Sequence, residues 1–104
     1  MMARLPHNPH PGEILRDEFL TPLALSQNQL AIAIQVPSNR INDIVRGRRG
    51  ITPDTDLRLC HAFNLSQGFW LRLQLSFDLM EAKRYSKDIL KSIKPIIVNS
   101  LNAA

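Results

Sequence analysis

The sequence predicts an all-α domain of five helices, followed by a C-terminal extension. Three observations predict it. The apolar residues recur at helical i, i+3, i+4 spacing. Val, Ile and Thr form no period-two runs of the kind a half-buried strand needs. Helix-start signals recur along the chain, each a Ser or Thr, or a Pro at an opening turn, ahead of an apolar-periodic segment. The 104 residues suit one ordinary domain and are too few for two. With 44% apolar and 21% charged residues, the composition excludes a disordered, collagen-like or disulfide-scaffold chain.

The elements follow in order. Residues 1–10, MMARLPHNPH, are rich in Pro and His and read as an extended arm. The first helix starts near Pro11 and runs to about Leu20, with Leu15 and Phe19 on one side and Pro22 as its stop. Ser26 caps the second helix and Gln29 completes a capping box. This helix puts Leu30, Ala31 and Ile34 on one face. The third starts at Pro37–Ser38 and ends at Arg46–Gly47, with Ile41, Ile44 and Val45 as its buried stripe. Thr52 caps the fourth, Pro53 opens it, and Asp54 and Asp56 complement its dipole. Leu57, Cys60 and Phe63 are expected on its inner face.

Ser66 is expected to cap a fifth helix that continues to about Lys83, with a further short helix over residues 86–94 that Pro95 stops. On the fifth helix Phe69, Trp70, Leu73, Phe77 and Met80 fall in one arc. Leu71, Leu75 and Leu79 form a second line on nearly the opposite side. A domain this small covers one arc with its own helices, so the second needs the C-terminal tail or another chain. The end, from Pro95 to Ala104, carries an Ile-Ile-Val cluster and no charged side chain, and reads as either a packing strap or a frayed tail. The domain proper thus spans residues 11–84, between the arm of residues 1–10 and the extension of residues 85–104.

Segments 26–34 and 38–46, joined at Gln35–Val36–Pro37, have the spacing of a helix-turn-helix. Ala31 supplies the small residue at the helix crossing and Val36 the apolar plug at the corner. The face left free by Ile41, Ile44 and Val45 bears Asn39, Arg40, Asn42, Asp43 and Arg46. Arg40 suits guanine O6 and N7, Asn39 or Asn42 suits adenine, and Asp43 accepts from cytosine. Arg46, Arg48 and Arg49 form a basic cluster suited to phosphates, and Gln27 stands at a helix start where side chain and backbone N–H meet a phosphate. The net charge of +4 agrees with a nucleic-acid partner.

Other chemistries find no support. A metal needs converging ligands, which His7, His10, Cys60 and His61 do not offer, so neither metal nor other cofactor is expected. No His partners a Ser or Cys as a nucleophile would require, and no Gly-rich phosphate loop is present, so no enzyme is expected. The single Cys60 reads as a core thiol and excludes an internal disulfide. No segment reaches the roughly 18 apolar residues of a membrane span, and the N-terminus has no apolar signal core. The expected setting is the cytoplasm.

Several of these residues carry a resemblance. Ser26-Gln27, Leu30-Ala31, the run Val36 to Val45, Gly47-Arg48-Arg49 and Ile51-Thr52 are similar to the XRE-type, lambda-repressor-like domain. His10-Pro11-Gly12-Glu13 together with Phe69-Trp70-Leu71-Arg72-Leu73-Gln74 and Phe77-Asp78-Leu79 narrows the likeness. These pieces resemble the HigA antitoxin family, also labelled VapI or virulence-associated protein I, over about residues 8–80. The resemblance implies a homodimeric antitoxin of a type II toxin–antitoxin system that represses its own operon at a palindromic operator. It also implies that the protein binds a HigB toxin, a RelE-like mRNA-cleaving ribonuclease. Helix 38–46 would then enter the major groove with Ser38, Asn39, Arg40 and Asn42 nearest the bases, and Gln27, Arg46 and Arg48 would hold phosphates. Leu71, Leu75 and Leu79 become a candidate dimer seam. A stand-alone transcriptional regulator and a toxin-neutralising module with little DNA binding are the alternatives. Gln35 and Asn64 stand where the family commonly has Gly; if the turn is kept, Gln35 takes a positive φ at a cost of about 1 kcal/mol.

Overall fold

The computed structural model describes residues 7–97, so residues 1–6 of the expected arm and 98–104 of the expected tail lie outside it. Among the described residues the regular elements are five helices and no strand. The first, α1, is α-helical over Pro11–Ile14 and winds on as a π-helix over Leu15–Leu20. There the bonds skip to the fifth residue back, as where Thr21 N donates to Arg16 O at 2.9 Å. α2 is Gln27–Ile34, α3 Ser38–Val45, α4 Pro53–Phe63 and α5 Phe69–Ser92.

α1 starts on a cap the sequence did not announce. His10 Nδ1 accepts from Gly12 N at 2.9 Å, and the Glu13 carboxylate accepts from His10 N at 3.2 Å. This is a capping box with an imidazole in place of the usual hydroxyl. Gly12 is buried where α1 meets α3: a Cβ there would lie 1.8 Å from the Ile44 carbonyl oxygen, so only glycine permits this approach.

α2 begins as expected. Ser26 Oγ accepts from Gln29 N at 3.0 Å, and Gln29 Oε1 accepts from Ser26 N at 2.8 Å. It ends at Gln35 with φ 61°, and α4 ends at Asn64 with φ 56°, so the left-handed turns are kept without glycine. Leu30, Ala31, Ile34, Ile41 and Ile44 are buried as the spacing predicts, with Val45 half-buried beside them.

α4 buries Cys60 and packs Phe63 on the core as expected, but Leu57 does not share that face. Leu57 is half exposed at 49%, while Thr55, Asp56, Leu59 and Cys60 are buried. Both Leu57 and Leu59 are apolar, and long-range bonds of the neighbouring polar residues choose between them. Asp56, read from the sequence as a dipole residue, is 1% exposed and accepts from Gly68 N at 2.7 Å, Trp70 N at 2.9 Å and Leu71 N at 3.1 Å. Cys60 Sγ donates to the same carboxylate at 3.5 Å.

This carboxylate, not Ser66, caps α5. The helix starts at Phe69 behind Gly68, whose φ of 93° favours glycine, and no side chain at that position caps it. Ser66 instead gives its backbone carbonyl to Cys60 Sγ, at 3.2 Å. Where two helices were expected, α5 is one helix to Ser92. No Gly or Pro interrupts the chain between Phe69 and Lys94, so nothing in the backbone forces a break.

The core gathers buried residues from all five helices, and its aromatic part lies between α1, α4 and the start of α5. Trp70 is fully buried, with its ring 5.0 Å from Phe19 and 5.2 Å from Phe69. Phe19 also meets Phe63 at 4.8 Å. Phe69, Leu73 and Phe77 are half-buried, but Met80 is exposed, so the expected inner arc ends one turn early. Leu71 packs half-buried on the core, whereas Leu75 and Leu79 are exposed at 59% and 51%. Ile96 and Ile97, the described part of the Ile-Ile-Val cluster, are exposed and strap nothing down.

Replacing Asp56 by Ala strands three backbone donors at the start of α5. The expected result is a loss of about 3 kcal/mol of stability, read as a lower urea midpoint.

Candidate nucleic-acid interface

The helix-turn-helix is built from the joint outward. Ala31 is 1% exposed at the crossing of α2 and α3, and Val36 is half-buried in the corner. Val36 N donates to Ala31 O at 3.0 Å, which closes the end of α2. Arg58, reaching across from α4, donates from Nη1 to Ile34 O at 2.8 Å and Gln35 O at 3.2 Å. It supplies the partners that the last carbonyls of a helix lack. Its Nε donates to both oxygens of Asp54, at 3.0 and 3.1 Å. These bonds, first to Arg58 and then to Arg40, hold the Asp54 carboxyl below its ordinary range.

Arg40 therefore does not stand free. Its Nη1 donates to Asp54 Oδ2 at 3.1 Å, and its side chain is 28% exposed. One donor is committed to α4, and the remaining edge of the fork is left for another acceptor. Ser38 and Asn39 are exposed on the first turn of α3, whose start at Pro37 has no side-chain cap. On the other flank Asn42 Nδ2 donates to Gln27 Oε1 at 3.1 Å. This bond ties the middle of α3 to the start of α2, leaving the Gln27 amide donors and the Asn42 carbonyl for other partners. Asp43 is half-buried, 4.0 Å from Arg49 Nη2.

Beyond α3 the chain turns at Gly47, with φ 77°, and Arg48 N donates back to Asp43 O at 2.8 Å. Arg46, Arg48 and Arg49 are exposed there, and among the described residues no carboxylate pairs with Arg46 or Arg48. The predicted residues thus gather on one surface. Ser38, Asn39 and Arg40 lie at one end of α3, Gln27 with Asn42 and Asp43 along it, and the three arginines at the other end. Leu71, Leu75 and Leu79 lie apart on α5.

Two supports were missed in the sequence. Residues 7–10 are not a loose arm. Asn8 Nδ2 donates to Phe77 O at 3.1 Å and to Glu81 Oε2 at 2.9 Å, which fastens the segment to α5. The His10 ring meets Phe77 edge-on at 4.9 Å and lies beneath the Gly47 turn. His7, weighed in the sequence only as a metal ligand, pairs with Glu13 at 2.8 Å. The i, i+4 spacing of Asp54 and Arg58 was the one visible sign of the second support, the brace under Arg40.

No family model matches the chain. Virulence-associated protein I of Dichelobacter nodosus is 45% identical over 93 residues, spanning 89% of this chain and 85% of that protein. Antitoxin HigA-1 of Vibrio cholerae is 30% identical over 88 residues, 85% of this chain and 83% of that one. The solved structure of the Pseudomonas aeruginosa antitoxin HigA with higBA promoter superposes with a TM-score of 0.83 at 42% identity. It covers 88% of this chain and 100% of that one.

The chain belongs to the HigA antitoxin family. The HigA fold is all-α with a helix-turn-helix, and HigA relatives are antitoxins and transcriptional regulators rather than enzymes. Among the described residues no helix is long and apolar enough to cross a membrane.

The His10 cap makes this surface sensitive to acid. Burial lowers the imidazole from its ordinary 6.5, outweighing the opposing pull of the Glu13 and Asp78 carboxylates. Below 6.5 the unfolded chain takes up a proton that the folded one resists, so this contribution to stability is complete above 6.5 and falls as the pH drops toward the lowered value. His10→Ala should cost about 1 kcal/mol at neutral pH, as a lost cap does. It should also flatten the fall in thermal midpoint between neutral pH and mild acid.

Proposed function

We propose that this chain is the antitoxin of a type II toxin–antitoxin system. On this reading it binds its operator through α3, represses its own operon and neutralises a RelE-like HigB toxin. The observation that carries the DNA half is the arrangement around α3. Its outward polar side chains are flanked by the Gln27–Asn42 bond along the helix and by Arg46 and Arg48 at its end, neither of which pairs with a carboxylate among the described residues. The likeness to an antitoxin solved with its promoter supports the same orientation. Ser38, Asn39, Arg40, Asn42 and Asp43 then face base edges, while Gln27, Arg46, Arg48 and Arg49 take phosphates. The toxin half is supported by relatives that carry the antitoxin name.

The working form on this reading is a homodimer, with a palindromic operator mirroring its two-fold axis. The exposed face of α5 supports it. Leu75, Leu79, Ala82, Ser86 and Ile89 lie within about 40° of one line on the helix, and Ile93 stands at its end. Their spacing of four, three, four, three and four reads the same from either end. Two such helices laid antiparallel set Leu75 against Ile93, Leu79 against Ile89 and Ala82 against Ser86. Leu75 and Leu79 of the expected seam lie on this line; Leu71, half-buried on the core, sits at its edge.

Gel-shift titrations against the chain's own upstream DNA and a random duplex test the assignment. Arg40→Ala is expected to lose about 1–3 kcal/mol on the operator and to relax specificity. Arg48→Ala is expected to weaken both duplexes alike and to flatten the salt dependence. Equal losses on both duplexes for both variants would overturn the roles. Leu75→Asp should sediment as a monomer, and a persisting dimer would place the seam elsewhere.

A further inference from the structure

We infer that Arg16, on the outer side of α1, is a backbone-phosphate contact that joins two separate phosphate-holding groups into one track. This inference rests on the DNA-binding reading above. Arg16 is exposed, in the π-helical half of α1, and lines two adjoining clefts. In one it faces Arg46 and Arg48 of the turn after α3, together with Glu13. In the other it faces Ser26, Gln27 and Gln29 at the start of α2. Without Arg16 these groups are two positive or donor-rich points divided by the body of α1. With it, a line of donors runs from Gln27 through Arg16 to Arg46 and Arg48, along the side of α3 that carries the Gln27–Asn42 bond.

The local charges fit this role. Glu13, the acid within the first cleft, is already occupied by His7 at 2.8 Å and by the His10 backbone N–H at 3.2 Å. Asp17 accepts from Arg16 Nε at 2.7 Å and from Nη2 at 3.1 Å. That bidentate bond fixes the guanidinium in one pose and leaves its remaining N–H groups for a second acceptor. Both partners are about half exposed, so little desolvation opposes the approach of a phosphate.

The test is a salt titration of duplex binding by the full chain, wild type against Arg16→Gln and Asp17→Asn. One phosphate contact corresponds to a change of about one in the slope of log affinity against log salt. Arg16→Gln is expected to lower the slope by about one and to weaken operator and random duplex by the same factor. Asp17→Asn, which frees the guanidinium, is expected to tighten both. A wild-type protein that binds with a slope unchanged in Arg16→Gln overturns this inference and leaves the parent reading standing. A loss confined to the operator would make Arg16 a base reader and equally overturn it. A wild-type protein that binds neither duplex removes the parent reading and this one with it.

Discussion

The Asp56 carboxylate, buried at the start of α5, is the constraint on which the rest of this structure depends. A buried charge is costly unless every lone pair is engaged, and this one engages three backbone N–H groups and a thiol. It also lies at the positive end of the longest helix in the chain. Meeting these demands fixes the rotation of α4, which buries Leu59 and leaves Leu57 at the surface. The same rotation carries Arg58 to the end of α2 and Asp54 under Arg40. α4 is thus the hub through which the helix-turn-helix and α5 are held in one arrangement.

The interface inherits its rigidity from these contacts. α3 is short and has no side-chain cap of its own, so its position comes from its neighbours. Ile41 and Ile44 hold it from below, the Gly12 contact seats it on α1, and the Asn42–Gln27 bond ties it to α2. On the proposed reading, a polar face supported in this way would meet DNA with little reorganisation, which lowers the entropy lost on binding. The arginines beyond α3 sit on a turn braced from beneath by His10, itself edge-on to Phe77 of α5. The candidate surface is therefore mechanically continuous with the helix whose outer face supports the dimer reading.

What was legible in the sequence was local. The Ser26–Gln29 box, the stripe of Ile41 and Ile44 and the Thr52–Pro53 start of α4 each involve residues within a few positions of one another. Turn and capping rules therefore reach them. What was not legible depends on partners far along the chain. Ser66 is a preferred capping residue, yet a carboxylate ten residues earlier, on another helix, takes the position. His10 is not a usual capping residue, and its role emerges only when Gly12 is pressed against α3. Leu57 and Leu59 are equivalent by hydrophobicity, and only Asp56 and Arg58 distinguish them. The candidate surface was read from the free face of one helix, the start of the helix before it and the arginines after it. The Asp54 brace on Arg40 and the clefts that Arg16 lines are tertiary and left little trace in the sequence.

Equilibrium binding of the purified chain to its own upstream DNA and to a shuffled duplex, at matched salt, tests the central claim most directly. A surface built to read bases predicts a preference for the chain's own DNA of about a thousandfold or more. Equal and steeply salt-dependent binding to both duplexes would contradict it, because a basic surface alone gives that behaviour.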